Sequence, residues 1–547
     1  MAKRRRPPQA RPAPARTERA QGTPSAVSRP GVQRAIGLAA AAVAVLLFYL
    51  AARLSAPHPW SYDEYYHIGL ARLMRTDFRI TSFHWTPFSL LADHFADKEP
   101  LFHVLLMPFA GLSLERAGLC GVLLGQVFLL AAFAFVLWKL AVPRAPWLVF
   151  ALAGLGPMFA LRADMCRPHI WLIGFSLLVI GLLAAEVSWR VLAPVCAVAG
   201  LAHTGGWIAI GFAALWGVAG FLSRIPSERR LAWQPAAAAA GGWLAGQLVH
   251  PNVPENFRLF WIQNFVVTFQ STAAGDAALR AQIGNELTPP ELPVLIDQWP
   301  AFIAPLLVAL LLLGNPRLRT RSTLTATVAS FAFLLAGTFF FRRFFELGPP
   351  LALLALALLL RERAAQGMPP LLRRAGPFLA GLAIVLGSVW TWSAVRVLGF
   401  GASSPPQAMA QWLAERGQPG ERVFTAQWAD SAPLFYYAPQ LQSLVALDPT
   451  FFYVKNPNLF ATYVKIVDGR HPAPVRAIRD QFGARWVTVW KQPEYRRLAT
   501  QLAATPGALI LFNTPDYLVF DLKGSAEAPA APPATRPPQP RSPQPQR

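Results

Sequence analysis

Eleven apolar runs of roughly membrane-spanning length, with basic residues at every second connection, constrain this chain more than any motif in it. They lie near 35–54, 117–138, 146–161, 169–186, 190–203, 205–223, 234–250, 299–314, 322–341, 347–360 and 377–397. Within a bilayer each backbone N–H and C=O must find its partner inside the protein, so runs of this kind fold as helices. Composition agrees: 54% of the 547 residues are hydrophobic and 14% are charged, whereas soluble domains carry about 25% charged residues. The expected fold class is a polytopic α-helical membrane protein with about eleven transmembrane helices, followed by a C-terminal soluble α/β domain. Three cysteines (Cys120, Cys166 and Cys196) include no CxxC pair and provide no disulfide framework.

The formal net charge of +22 is compatible with nucleic acid, anionic lipid or topology signals, and its distribution chooses the last. Residues 1–34 carry nine Lys/Arg and one Glu among Pro and Ala, a composition expected to be a disordered cytoplasmic arm. The run 35–54 is long enough to span rather than serve as a cleaved signal peptide. With the N-terminus inside, every second connection is cytoplasmic. Those connections are basic: Lys139/Arg144, Arg190, Arg224/Arg229/Arg230, Arg317/Arg319/Arg321 and Arg361/Arg363/Arg373/Arg374. This distribution places the chain in an inner (plasma) membrane and needs no nucleic-acid partner.

The opposite face collects a first external loop, 56–116, a second, 251–298, the turns RADMCRPH (162–169) and FRRFFELG (341–348), and everything after about 398. All nine histidines fall on that side or at its edge. Longer loops account for part of this sorting. They do not account for Arg162, Arg167, Arg342 and Arg343, which oppose the positive-inside bias and sit where ionisable groups mark function. These four are candidate phosphate-binding residues, with Arg258 as a fifth, although each alone is equally readable as an anchor reaching the headgroups. Glu346 reads as a partner for the adjacent arginines. His103, His169 and His203 are possible metal ligands, but no pair has helical i,i+4 metal spacing.

In the first loop, SYDEYYHIGLARLMR opens a helix capped by Ser61 or Asp63, with Ile68, Leu70, Leu73 and Met74 at near-helical spacing. It is too polar to span and is expected to lie along the membrane surface. PLFHVLLMPFAGL (100–112) is too short to cross and reads as interfacial or re-entrant. The segment 254–271 reads as a second surface element roofing a donor groove. Three short signatures occur in order: Asp63-Glu64, Lys98-Glu99-Pro100-Leu101-Phe102, and Gly111-Leu-Ser-Leu-Glu-Arg116.

In these features the chain resembles the C-type integral-membrane glycosyltransferases (the GT-C superfamily), especially the dolichyl-phosphate-mannose protein mannosyltransferase and aminoarabinose transferase branch. The resemblance covers motifs over residues 35–140 and topology to 397. Glu99 stands where such proteins commonly carry a proline. The resemblance implies transfer of a sugar from a polyprenyl-phosphate donor on the non-cytoplasmic face. The acceptor would be a lipid, glycan or protein. Asp63 would be the general base, and Glu64 would orient the acceptor or help to hold a divalent metal. His67, Lys98, Glu99, His103, His169, His203 and Glu346 would support the site. The chemistry calls for such groups, because a carboxylate takes the acceptor proton and arginines meet charge growing on the leaving phosphate.

From about 404 the composition changes. Strands are expected at 422–426, 443–447, 485–490, 508–513 and 517–523, with helices near 457–468, 473–482 and 493–504, so residues 404–523 read as an external α/β domain. The last 24 residues, 524–547, hold eight prolines and read as a disordered tail. No GxGxxG or GxxxxGK loop occurs in this region, which fits a lipid-linked rather than nucleotide-linked donor and no nucleotide cofactor. Two other functions compete: a transporter or flippase of lipid-linked saccharides, and a non-catalytic envelope assembly protein. A transporter should show inverted repeats and mid-span polar residues; the sequence shows no internal repeat, and spans such as 299–314 have none of those polar residues. An assembly protein leaves the Asp/Glu/Arg set unexplained.

Overall fold

The computed structural model describes residues 29–55, 60–272, 274–367, 370–401, 406–445 and 448–523. The first 28 residues of the basic arm and the Pro-rich tail from 524 lie outside the described residues.

Each sequence-predicted span coincides with helix, and the lengths vary widely. Among the described residues six helices are long and apolar enough to cross a membrane: Gly31–Leu54, Leu114–Lys139, Thr204–Leu222, Arg321–Phe339, Arg342–Ala365 and Arg374–Arg396. Shorter apolar helices at His169–Ala184, Trp189–Ala202 and Trp299–Gly314 pack among them, as does Gln234–Leu248. The chain is an integral membrane protein. The run 146–161 is not one straight helix, because its two halves, Ala145–Gly154 and Pro157–Ala163, meet at 94°. The cause is local: Gly156 takes φ 110°, and Pro157 cannot continue a helix through its missing N–H. Backbone groups freed at this elbow are satisfied from elsewhere. The Tyr49 hydroxyl donates to Leu152 O at 2.7 Å, and Gln298 Oε1 accepts from Met158 N at 3.1 Å.

Helices α1 (Arg29–Leu54) and α4 (Leu114–Lys139) flank the long first loop, which carries α2 (Tyr62–Met74) and α3 (Pro100–Leu106). Helix α1 is apolar on every side, yet it buries one stripe, Leu38, Ala41, Val45, Tyr49 and Ala52, and exposes Ile36, Val43 and Leu47. Spacings of three and four define that packed face; the rest is left for lipid. Lipid removes the hydrophobic drive between helices, so close approach matters instead. On α4, a Cβ at Gly121 would lie 2.3 Å from Cys166 Sγ, and one at Gly125 would lie 2.2 Å from Ile170. Their missing side chains let the turn 162–169 dock on α4.

Helix α2 is not a free surface helix. It is buried from Glu64 to Ala71, covered by a cluster in which Tyr66, Leu70, Met74 and Phe83 meet Leu259, Phe435 and Phe451. The last two belong to the C-terminal unit. That unit has a four-stranded sheet of β1 (Arg422–Thr425), β2 (Ala484–Trp490), β3 (Leu509–Asn513) and β4 (Tyr517–Asp521) in the order β1-β2-β4-β3. Strands β1 and β2 are parallel; β4 pairs antiparallel with both neighbours. Val487 and Val489 of β2 face one buried cluster, and Trp486 faces another, as strand alternation requires. Residues 443–445 form no strand; the segment contributes a bridge from Gln442 to Arg422. Helices Ser431–Tyr437 and Thr450–Lys455, unforeseen in the sequence, bring Phe435 and Phe451 down onto α2.

Candidate active site

The site is built outward from the first turn of α2. Ser61, in extended conformation, caps the helix by accepting from Asp63 N at 3.2 Å. The Asp63 carboxylate is therefore not needed as the cap. Asp63 and Glu64 both suit the positive end of the helix, but neighbours on a helix project about 100° apart, and their surroundings differ sharply. Glu64 is fully buried and takes the Arg53 guanidinium in a fork, at 3.1 and 2.8 Å. It also accepts from Trp60 N at 3.2 Å and Cys166 N at 3.4 Å. Asp63, with 29% of its side chain exposed, pairs with Arg167 at 2.7 Å.

Around Asp63 the predicted arginines converge on a residue the sequence reading did not single out, Glu286. Arg162 stands at the end of the helix Pro157–Ala163, and Arg167 in the turn that follows. Arg343 comes from the short 3-10 segment Arg342–Glu346. Arg162 pairs with Glu286 and, through Nε at 2.9 Å, with Glu346. Arg167 reaches Glu286 at 3.3 Å and Arg343 reaches it at 3.9 Å. Burial alone raises the Glu286 carboxyl, but Arg162, Arg167 and Arg343 outweigh it and hold the group well below the usual carboxylate range. The three guanidinium charges are balanced by Asp63, Glu286 and Glu346.

Two predicted phosphate ligands lie outside this cluster. Arg342 holds the second loop, donating to Thr288 Oγ1 at 3.1 Å and Pro289 O at 3.2 Å. Arg258 is exposed on the helix Glu255–Trp261 and enters none of the cluster's ion pairs. His169 donates from Nε2 to Arg162 O at 2.7 Å and so fixes the backbone beside that arginine. His203 Nδ1 accepts from Gly205 N at 2.8 Å, capping the turn Thr204–Trp207. The Lys98 ammonium lies 5.5 Å from the centroid of the Phe451 ring. Glu99 and His103 join His67 in a buried group, with His67 Nδ1 and His103 Nε2 2.8 Å apart. Asp97, also unforeseen, accepts from His103 Nδ1 at 2.7 Å. Burial pushes the Glu99 carboxyl up to about 7 and the His67 imidazole well down, whereas in His103 the Asp97 carboxylate outweighs burial and raises it.

The group suited to a cation is thus His67, Glu99 and His103 rather than Asp63 and Glu64, since Glu64 is occupied by Arg53. A recess between α2 and the C-terminal unit is lined by Asp63, Tyr62, Tyr66, Phe83, Trp428 and Phe435. Behind its lining residue Tyr62, whose hydroxyl lies 3.4 Å from that of Tyr517, Tyr517 donates to buried Asp430 at 2.8 Å. Asp63 therefore stands between an arginine cluster and an aromatic recess.

No protein-family model matches the sequence, and no curated protein matches it. Solved structures do match the fold. ArnT from Cupriavidus metallidurans bound to undecaprenyl phosphate aligns with a TM-score of 0.57 at 15% identity, over 90% of this chain and 99% of that one. The archaeal oligosaccharyltransferase AglB from Archaeoglobus fulgidus, in complex with an inhibitory peptide and a dolichol-phosphate, aligns with a TM-score of 0.53 at 12% identity. That match covers 90% of this chain and 74% of AglB. Both are GT-C glycosyltransferases. The helices, loops and C-terminal sheet of this chain share the fold of these solved GT-C glycosyltransferase structures.

Proposed function

We propose that this protein is a membrane glycosyltransferase that moves a sugar from a polyprenyl-phosphate donor to an acceptor on the non-cytoplasmic face, with Asp63 as general base. The observation that carries the reading is the pairing of a partly exposed Asp63 with Arg167 inside the Arg162/Arg167/Arg343 cluster. Arginine forks suit a lipid phosphate, and the ArnT and AglB structures hold undecaprenyl phosphate and dolichol-phosphate respectively. The acceptor, a lipid, glycan or protein, approaches Asp63 from the side of the aromatic recess, where rings offer flat apolar faces and Asp63 is the only carboxylate among the lining residues.

In the reaction the acceptor's O–H or N–H loses its proton to Asp63 as its lone pair attacks the anomeric carbon. The bond from that carbon to the phosphate oxygen breaks, and polyprenyl phosphate departs with one more negative charge. That charge falls on Arg162, Arg167 and Arg343. The ground-state balance adds a step. An Asp63 oxygen occupied by Arg167 is not open to an acceptor proton. Donor phosphate competes with Asp63 and Glu286 for the same arginines, and by drawing Arg167 away it frees Asp63. The N-terminus is cytoplasmic in this reading, the membrane is the inner (plasma) membrane, and the C-terminal unit lies outside. The deciding experiment incubates purified protein with a panel of polyprenyl-phosphate sugars and measures released polyprenyl phosphate. Release from one or more donors supports the reading; no release from any donor across a panel of acceptors sinks it.

A further inference from the structure

We propose that His67, Glu99 and His103 form a site for one divalent transition-metal ion of zinc character. One candidate ligand atom from each residue falls within 4.8 Å of the others, and all three residues are buried. The residues come from two elements: His67 from the middle of α2, and Glu99 and His103 from the N-cap and first turn of α3. An ion there ties α3 to α2.

Two features distinguish this group from a histidine pair that has satisfied itself. His103 is already oriented as a ligand: its Nδ1–H donates to Asp97 at 2.7 Å, which leaves Nε2 facing His67. A carboxylate behind an imidazole is the usual support for a metal-bound histidine, since it fixes the tautomer and raises basicity. The Glu99 carboxylate is the second feature. Its residue is 5% exposed, yet among the described residues its side chain takes part in no hydrogen bond or ion pair; only its backbone does, toward Asp97 and His103. Such a buried carboxylate is costly unless a cation meets it.

Ligand chemistry selects the ion. Two imidazoles and one carboxylate suit zinc and its neighbours, whereas calcium and magnesium prefer oxygen ligands throughout. Ligands about 2.0–2.1 Å from a tetrahedral zinc are about 3.3 Å apart. The His67–His103 separation of 2.8 Å therefore needs only a small opening, while Glu99 swings in by a side-chain rotation. Three protein ligands leave a fourth position free, as in catalytic rather than structural zinc sites. Asp63 lies one helical turn before His67 on the same face of α2, so the ion would stand one turn from the proposed base. Metal binding at these residues does not depend on sugar transfer and is measured without it.

The test uses the full-length protein in detergent, stripped with EDTA and titrated with zinc against a chromophoric chelator. Metal content is measured in parallel by mass spectrometry. The expected result is one zinc per chain, with a thermal-unfolding midpoint that rises with zinc. His67→Gln, His103→Gln and Glu99→Gln should each weaken zinc at least 100-fold, and Asp97→Asn about 10–100-fold. Glu99→Gln removes an unpartnered buried charge, so the metal-free variant should fold at least as well as wild type. His94→Asn, at a histidine more exposed than these, should leave the titration unchanged. Absence of stoichiometric zinc from the wild-type protein would overturn the proposal. So would stoichiometric zinc that survives Glu99→Gln and His67→Gln together, because the ion would then be bound elsewhere.

Discussion

Two adjacent carboxylates on α2 should fail in opposite ways, and the buried one shows it most directly. Glu64 receives both Arg53 guanidinium nitrogens, at 3.1 and 2.8 Å, and two backbone N–H groups. There is no slack around it, since a Cβ added at Gly118 of α4 would lie 3.0 Å from Glu64 Oε2. Glu64→Gln keeps the shape and removes the charge, leaving the Arg53 guanidinium uncompensated with 6% of its side chain exposed. Breaking a buried pair from one side costs about 3–5 kcal/mol. The expected outcome is a loss of that size in a denaturant titration of the detergent-solubilised protein followed by tryptophan fluorescence. The double variant Arg53→Met/Glu64→Leu removes both charges and should recover most of the loss, because apolar replacement of a buried pair is often neutral or stabilising. If Glu64→Gln unfolds within about 1 kcal/mol of wild type while sugar transfer is abolished, Glu64 belongs to the chemistry and the reasoning is wrong.

Asp63→Asn should cost little stability, because Ser61 provides the cap and Arg167 keeps Glu286 as a partner, and should lower transfer about 10²–10⁴-fold; a fully active variant would remove the base. Arg167→Ala and Arg343→Ala should weaken donor use ten-fold or more, the loss of a charge-assisted contact worth about 1.5–3 kcal/mol. Arg258→Ala should change turnover little, and equal effects at Arg258 and Arg167 would misplace the donor. Burial pushes the Asp430 carboxyl up to about 8, from about 3.9 in the unfolded chain. The native state therefore keeps a proton there that the unfolded chain has released, and stability falls as pH rises from about 4 to about 8. Asp430→Asn, measured by unfolding at pH 5, 7 and 9, should gain on wild type across that window at up to about 1.4 kcal/mol per pH unit; a constant difference would contradict it. A cysteine introduced at Ser61 should react with a membrane-impermeant reagent in intact cells and one at Ser227 should not, the reverse pattern inverting the proposed orientation.

Much of this architecture is written in the chain as single residues. The elbow is visible as Gly156-Pro157 in the middle of an apolar run. The arginines that join the cluster were legible because Arg162, Arg167 and Arg343 sit against the charge bias of membrane proteins. Their counter-charge was not legible: Glu286 is one acid in a long second loop, and nothing local tells its neighbours from a solvated turn. Asp97 was hidden for the same reason, two residues before a motif that drew attention to Lys98 and Glu99. Arg53, at the end of α1, carries no signal in the sequence that sets it apart. Only the docking of turn 162–169 on the small residues of α4 makes it the partner of Glu64. Adjacency misled at Asp63-Glu64 and Arg342-Arg343, where consecutive residues point into different environments.

The tied elbow also decides which part of the site is able to yield. A hinge needs residues that change φ and ψ cheaply, whereas here Tyr49 holds Leu152 on one side of the bend and Gln298 holds Met158 on the other. Arg162 and Arg167 are thus carried on a fixed bracket. Glu286 hangs instead from the short turn Asn285–Leu287, fastened by the Arg342 contacts to Thr288 and Pro289. For a phosphate entering the cluster, the reorganisation falls on that turn and not on the helices. Occupancy then becomes an exchange of one anion for another, and its rate is set by how often Glu286 lets go. Loosening the fastening, as by Arg342→Ala, should speed donor entry and donor loss together, a kinetic signature that equilibrium affinity alone would conceal.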